Sequence, residues 1–272
     1  MTPLRAAFFL HVALAWLCFD SAAWQAPSLT RKKVQQAAAA AAFNNNWEDN
    51  NVVAASFLRS AEKLEALDID TATGDLDAAS FLDAVDELTP ALQGLGTVFS
   101  LASKQVFGNV AKLRRHLKST EELNGGRNYT LHMLVLAEVQ GVHPPAPQQL
   151  LPHGQRSAPH VEAEGPFSCG RWASVALAFT HDFCNRVSSD EYRDRPMYDC
   201  VSDAYDNTLR PEHGPVLQGV SKGILRVVPA SRDILTEKMG MDEDSSKGVL
   251  QRWAKAYARP RSAIERFYAQ WE

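Results

Sequence analysis

The sequence predicts an all-α fold, and three observations carry that prediction. Apolar residues recur at helical spacing through most of the chain beyond residue 50, alternating strand patterns are nearly absent, and Gly and Pro fall where the apolar stretches stop. The first amphipathic helix is expected over residues 52–67, with Val53, Phe57, Leu64 and Leu67 on one side. Gly74-Asp75 breaks it, and Asp75 or Asp77 can cap the next helix. That helix carries Phe81, Val85 and Leu88, then Leu92 and Leu95 beyond Pro90, until Gly96 interrupts it. Further helices are expected over about residues 99–117 and 131–140. Between residues 142 and 170 lie Pro144, Pro145, Pro147, Pro152, Pro159 and Pro166 without sustained periodicity, which reads as a long surface loop. Helical spacing resumes at Trp172 and continues through Val175, Ala176, Phe179 and Phe183. Helices over residues 197–210 and 212–228 follow, and a last one over 247–268 is expected to bend at Pro260.

Composition narrows the functional classes. With 272 residues and 45% apolar content the chain can build a real core, and a formal charge of −4 argues against nucleic acid as a partner. Residues 1–23 read as a signal peptide: Arg5 precedes an apolar run over 6–19, which gives way to Ser21-Ala22-Ala23. The run is short for a permanent anchor, and no later run is long enough to cross a bilayer. Residues 24–75 read as a leader and linker containing the first amphipathic helix. Within it, Trp24-Gln25-Ala26-Pro27-Ser28 leads to Arg31-Lys32-Lys33 and an alanine tract, with no acidic residue up to Asn46. A signal peptide followed by such a stretch resembles the two-part leaders of algae with secondary plastids; a secreted protein with an alanine-rich neck is the alternative. The expectation is a soluble protein that enters the secretory pathway, bound for a plastid of secondary origin, the endomembrane lumen or the exterior. Residues 76–272 are expected to form one domain.

Cys18 lies in the leader, which leaves Cys169, Cys184 and Cys200, an odd set without paired spacing, so no disulfide framework is indicated. His181 and Cys184 have one zinc-like spacing, but buried free thiols are the simpler account. No metal and no cofactor are expected. Asn128-Tyr129-Thr130 fits a glycosylation sequon, a pattern frequent by chance.

Three places concentrate chemistry. Gln105, Asn109 and Lys112 are spaced i, i+4, i+7 and share a helix face, and Gly108 beside them makes sense if something approaches the backbone closely. Trp172 heads an apolar helix face and offers a flat ring with one N–H donor, suited to stacking on a sugar. Tyr205, Leu209 and His213 fall one above another, with Pro211 and Gly214 placed to turn the imidazole inward. Taken singly, each has an ordinary structural explanation: a solvated polar face, a half-buried tryptophan, a satisfied core histidine.

Taken in order, they carry a resemblance. The stretch from Phe81-Leu82-Asp83-Ala84-Val85 to Gly108-Asn109-Val110-Ala111-Lys112 is similar to the opening of the glycolipid transfer protein domain, including its Gly-Asn-x-x-Lys core. Trp172 with Leu177 and Phe179 resembles the family's tryptophan helix, and Ala204-Tyr205-x-x-x-Leu209-x-Pro211-x-His213-Gly214 resembles its Tyr/His signature. The resemblance implies a two-layer sandwich of about eight helices. It implies a lipid headgroup site in which Trp172 stacks on the first sugar, Asn109 and Lys112 bond its hydroxyls, and His213 bonds the lipid amide, with Gln105 and Tyr205 beside them. It also implies a hydrophobic tunnel for the tails, for which Phe179, Phe183, Leu209, Val220 and Ile224 are candidates. The implied activity is non-enzymatic transfer of a sphingolipid or glycolipid between membranes, by a monomer in transient contact with the membrane surface. The same fold carrying ceramide 1-phosphate, or serving as a lipid sensor, is the alternative.

The chain departs from the family pattern in informative ways. Gln105 stands where the family usually has an aspartate; a carboxamide repels anions less, so a sulfated or phosphorylated headgroup beside Lys112 is expected to be tolerated. Pro215 stands where many relatives have a membrane-facing tryptophan. Val175 and Ala176 follow Trp172 where the phosphate-binding relatives carry arginines, while Arg171 precedes it, which favours the glycolipid reading. Gly219-Val220-Ser221-Lys222-Gly223 fits the Gly-x-Ser-x-Gly nucleophile pattern, but its flanks are helical and no histidine follows Ser221, so an esterase is not expected.

Overall fold

The computed structural model describes residues 52–70, 73–123, 129–139, 165–215, 218–219, 221, 225 and 231–270. The expected signal peptide and basic leader, the sequon asparagine and most of the proline-rich stretch lie outside these residues. Among the described residues the α-helices include α1 (Val52–Glu65), α2 (Ala78–Glu87), α3 (Thr89–Gly94), α4 (Thr97–Leu123), α5 (Leu131–Val139), α6 (Pro166–Ser188), α7 (Met197–Thr208), α8 (Arg232–Met239) and α9 (Glu243–Ala269). Two 3-10 turns, Asp190–Tyr192 and Arg210–Glu212, follow α6 and α7. Among the described residues there is no strand, only two isolated bridges, Ile69 with Leu76 and Asp77 with Thr130.

The helices form a two-layer sandwich. The long helices α6 and α9 pack on each other; α4 and α7 flank α6, α1 flanks α9, and α2 and α3 lie against α1. The expected helical class and layering are therefore observed. The amphipathic helix placed in the leader belongs by packing to the core: Phe57 and Ala61 of α1 are fully buried and Leu64 nearly so. Phe57 meets Trp253 edge-on, with ring centroids 5.8 Å apart. The Trp253 indole N–H donates to Ser60 Oγ at 3.0 Å, and that hydroxyl donates to the Ala84 carbonyl at 2.7 Å. A single buried donor chain thus ties α1, α2 and α9 together, so the packed unit includes α1.

Local chemistry explains most helix ends. Asp77 is the N-cap of α2, its carboxylate accepting the Ser80 N–H at 2.8 Å. Asp75 does a different job, accepting the N–H of Leu76 and, at 3.3 Å, that of His132 at the start of α5. Gly74 adopts φ of 74° between α1 and α2, a left-handed conformation that suits glycine. Asp242 caps α9 through the Ser245 N–H at 2.8 Å, which starts that helix four residues earlier than its apolar pattern suggests. α9 then runs through Pro260 without a break. α8 has no counterpart in the expected helices; its two buried residues, Leu235 and Met239, are too few for a periodic signal, although Gly240 in the left-handed region marks its end.

α6 starts at Pro166, inside the stretch expected to be loop. Proline suits the first helical position because its missing N–H would have no helical partner there. Gly165 provides no side-chain cap, and the next donor, Phe167 N–H, is taken at 2.6 Å by the carboxylate of Glu138 from α5. Further along α6, Gly170 faces the Tyr268 hydroxyl so closely that an added Cβ would overlap it. Tyr268 is 2% exposed and rigid, so it cannot yield as a flexible chain end would. Gly170→Ala is expected to lower stability by about 1–3 kcal/mol, the usual range for overpacking. Chemical denaturation with an unchanged midpoint would contradict this close packing of α6 on α9.

Candidate functional site

Trp172 sits in the second turn of α6, and His213 directly follows the 3-10 turn after α7. The fold brings their rings to a centroid separation of 6.3 Å with 29° between planes. The two residues whose meeting the resemblance required therefore share one place. Tyr205 of α7 is 2% exposed and holds the imidazole, its hydroxyl 3.1 Å from Nδ1. Ser221 Oγ lies 3.4 Å from the same nitrogen. The His213 backbone is fixed as well, its carbonyl accepting from the Gln218 side chain at 2.8 Å. Burial pulls the His213 pKa below the ordinary imidazole value, so the ring is neutral at pH 7. Tyr205 is pushed upward, first by burial. A neutral imidazole with one nitrogen against hydroxyls can exchange hydrogen bonds with an uncharged ligand without carrying charge into it.

The other expected site residues divide. Asn109 and Lys112 are half-buried on α4, the helix packed along α6. Gly108 beside them is open: among the described residues, its own helical turn aside, no atom lies within 4 Å of an added Cβ. The Gln105 side chain lies outside the described residues, as do Val220 and Ile224. Phe179 and Phe183, expected to line a tunnel, are each 1% exposed and close against Phe99 of α4 at centroid distances of 5.9 and 4.6 Å. Their rings pack as an aromatic cluster between α4 and α6. Leu209 is partly buried against the same core. Trp172 is 8% exposed, a more covered indole than a sugar platform on an open surface would be. A groove of about 500 Å³ between α1 and α9, lined by Leu64, Ile69, Arg252, Lys255 and Arg259 among others, includes none of the expected site residues.

Residues not assigned to the site also converge on it. Glu212, adjacent to His213, accepts from the Arg171 guanidinium at 2.8 Å. Ser221, noticed in sequence only as part of a nucleophile pattern, is itself helical and places its hydroxyl near His213. The three described cysteines are buried thiols, and no cluster of potential metal ligands occurs among the described residues. Burial raises the Cys184 thiol far above its ordinary value, the behaviour of an inert core thiol.

The model of one protein family, "Glycolipid transfer protein (GLTP)", matches residues 76–240. The chain belongs to this family. Members are lipid transfer proteins, and the solved glycolipid transfer protein folds align over nearly their whole length. A structure of FAPP2, described as selecting simple glycosphingolipids using this fold, superposes with a TM-score of 0.60 at 21% identity, covering 79% of this chain and 95% of that one. Human ceramide-1-phosphate transfer protein in complex with 12:0 ceramide 1-phosphate gives a TM-score of 0.55 at 21% identity, covering 81% and 95%. Among curated relatives, human pleckstrin homology domain-containing family A member 8 is 26% identical over 170 residues, which is 62% of this chain and 28% of that protein. The glycolipid transfer protein match thus spans little more than a quarter of such relatives.

Proposed function

We propose that this chain is a lipid carrier that binds one sphingolipid, with a sugar headgroup at the Trp172–His213 pair and the tails between α4 and α6. The meeting of Trp172 and His213, 41 positions apart in sequence, is the observation that supports it. Asn109 and Lys112 supply a carboxamide and an ammonium from α4, and the open backbone at Gly108 leaves room for a ligand to approach them. The headgroup meets the exposed remainder of the indole, and the tails enter by parting the Phe99, Phe179 and Phe183 rings. Each methylene transferred from water contributes about 0.8 kcal/mol, so chain burial supplies most of the affinity while the few polar groups select the headgroup.

The test is transfer of a fluorescent galactosylceramide from donor to acceptor vesicles. A carrier accelerates it in proportion to protein concentration; a sensor binds the lipid and leaves the rate at background. Gln105 gives a second measurement. Restoring a carboxylate with Gln105→Asp is expected to shift preference toward neutral headgroups by several-fold, since a carboxylate accepts from sugar hydroxyls and repels sulfate. An unchanged ratio of galactosylceramide to sulfatide binding would remove Gln105 from the site.

A further inference from the structure

The residues that directly precede the two rings of the site form an ion pair that joins the elements carrying them. Arg171 directly precedes Trp172 on α6, and Glu212 directly precedes His213. Arg171 Nη2 and Glu212 Oε1 are 2.8 Å apart, and the two side chains are only 21% and 20% exposed. The guanidinium also lies over the Tyr268 ring, 6.0 Å from its centroid, which gives the pair an aromatic wall. The pair joins α6 to the turn that carries His213, so it is fixed to the same two elements as the rings.

The chemistry of the two groups is opposed. A guanidinium stays charged at any accessible pH and matches the oxygens of sulfate and phosphate with paired donors. A carboxylate repels the same oxygens. Bound to each other in a half-buried place, their fields largely cancel, and the screening that weakens exposed pairs is reduced.

We propose that the Arg171–Glu212 pair sets the charge selectivity of the headgroup site. Glu212 offsets the charge of the guanidinium, so an anionic headgroup approaching Arg171 meets a carboxylate of its own sign, whereas an uncharged sugar leaves the pair intact. The ligand class thereby favoured is a sphingolipid with a neutral headgroup. The chain lacks the family carboxylate at position 105, and Glu212 brings one from a different element. This inference rests on the lipid-carrier reading of the same site.

The experiment measures extraction of galactosylceramide and of its sulfated form, sulfatide, from phosphatidylcholine vesicles by the full chain. Wild type, Glu212→Gln, Arg171→Gln and the double variant are compared at fixed ionic strength. Glu212→Gln keeps the side-chain shape and releases the guanidinium; its sulfatide-to-galactosylceramide ratio is expected to rise about tenfold. Arg171→Gln leaves the carboxylate without its cation, and its ratio is expected to fall several-fold. The double variant returns near the wild-type ratio. A pair that only staples α6 to the turn would lower binding of both lipids together and leave the ratio where it was, which overturns the proposal. A ratio that stays raised in the double variant also overturns it, because the effect would then not pass through Arg171. Should Glu212→Gln fail to fold, Arg171→Gln decides alone by the direction of its ratio. If wild type extracts neither lipid, the carrier reading itself fails and takes this inference with it, an outcome distinct from intact binding with an unmoved ratio.

Discussion

Trp172→Ala is expected to slow glycolipid transfer about 30-fold, corresponding to roughly 2 kcal/mol of lost binding, the size typical of a central aromatic contact. The indole faces His213 at 6.3 Å, so its removal takes away both the ring a sugar would stack on and one wall of the imidazole's pocket. Because Trp172 is 8% exposed, truncation also leaves a cavity and lowers stability. Trp172→Phe separates the two effects. It keeps most of the packing and loses the wider ring with its N–H donor, so it should melt near wild type yet transfer slowly. Transfer rate and thermal midpoint, measured on both variants, distinguish the roles. A Trp172→Ala protein that still folds and transfers at the wild-type rate would place the headgroup elsewhere.

The largest stability effect is expected at a residue remote from the lipid site. Trp253→Ala should cost about 3–5 kcal/mol, the range for deleting a large buried aromatic side chain. Trp253 is 1% exposed, stacks on Tyr257 at 5.4 Å and 13°, meets Phe57 edge-on, and donates to Ser60. Its loss removes the hub that joins α1 to α9. For a domain of this size that corresponds to a drop in thermal midpoint of roughly 10 °C. Trp253→Phe should recover much of the stability but not the donor to Ser60. Thermal denaturation followed by circular dichroism checks the prediction; a loss below 1 kcal/mol would mean that α1 is not part of the cooperative unit. The sulfatide-to-galactosylceramide ratio should be unaffected, since the Arg171–Glu212 pair is held by other elements.

Much of the helical order was legible in sequence, and the misses have physical causes. The helices α1, α2, α4, α5, α7 and α9 announce themselves because an apolar stripe repeating every three to four residues is a local property. α8 escaped because eight residues with two buried side chains carry almost no periodicity. The start of α6 escaped because Pro166 resembles the other prolines of its stretch, and only Glu138, from another helix, supplies what its first turn lacks. The apolar face of α1 was recognised, but its packing on α9 was not legible, because Trp253 lies almost two hundred residues from Ser60.

For the site, residue types in order were enough to single out Asn109, Lys112, Trp172, Tyr205 and His213. Tyr205 proved to act on the histidine, holding Nδ1 from a buried position. Arg171 was noticed for its place before Trp172, yet its partner was not, since Glu212 in a turn rich in charge has no distinguishing pattern.

By itself the sequence determined that the chain is helical and where most helices begin and end, and it supplied the side chains proposed to recognise a polar headgroup. These depend on periodicity, caps and residue chemistry, all readable within a dozen neighbouring positions. Only the tertiary structure decided that Trp172 meets His213, that Arg171 is neutralised by Glu212, and that α1 completes the core. Such contacts join distant segments through the packing of whole helices, and packing depends on the shape of every buried face at once.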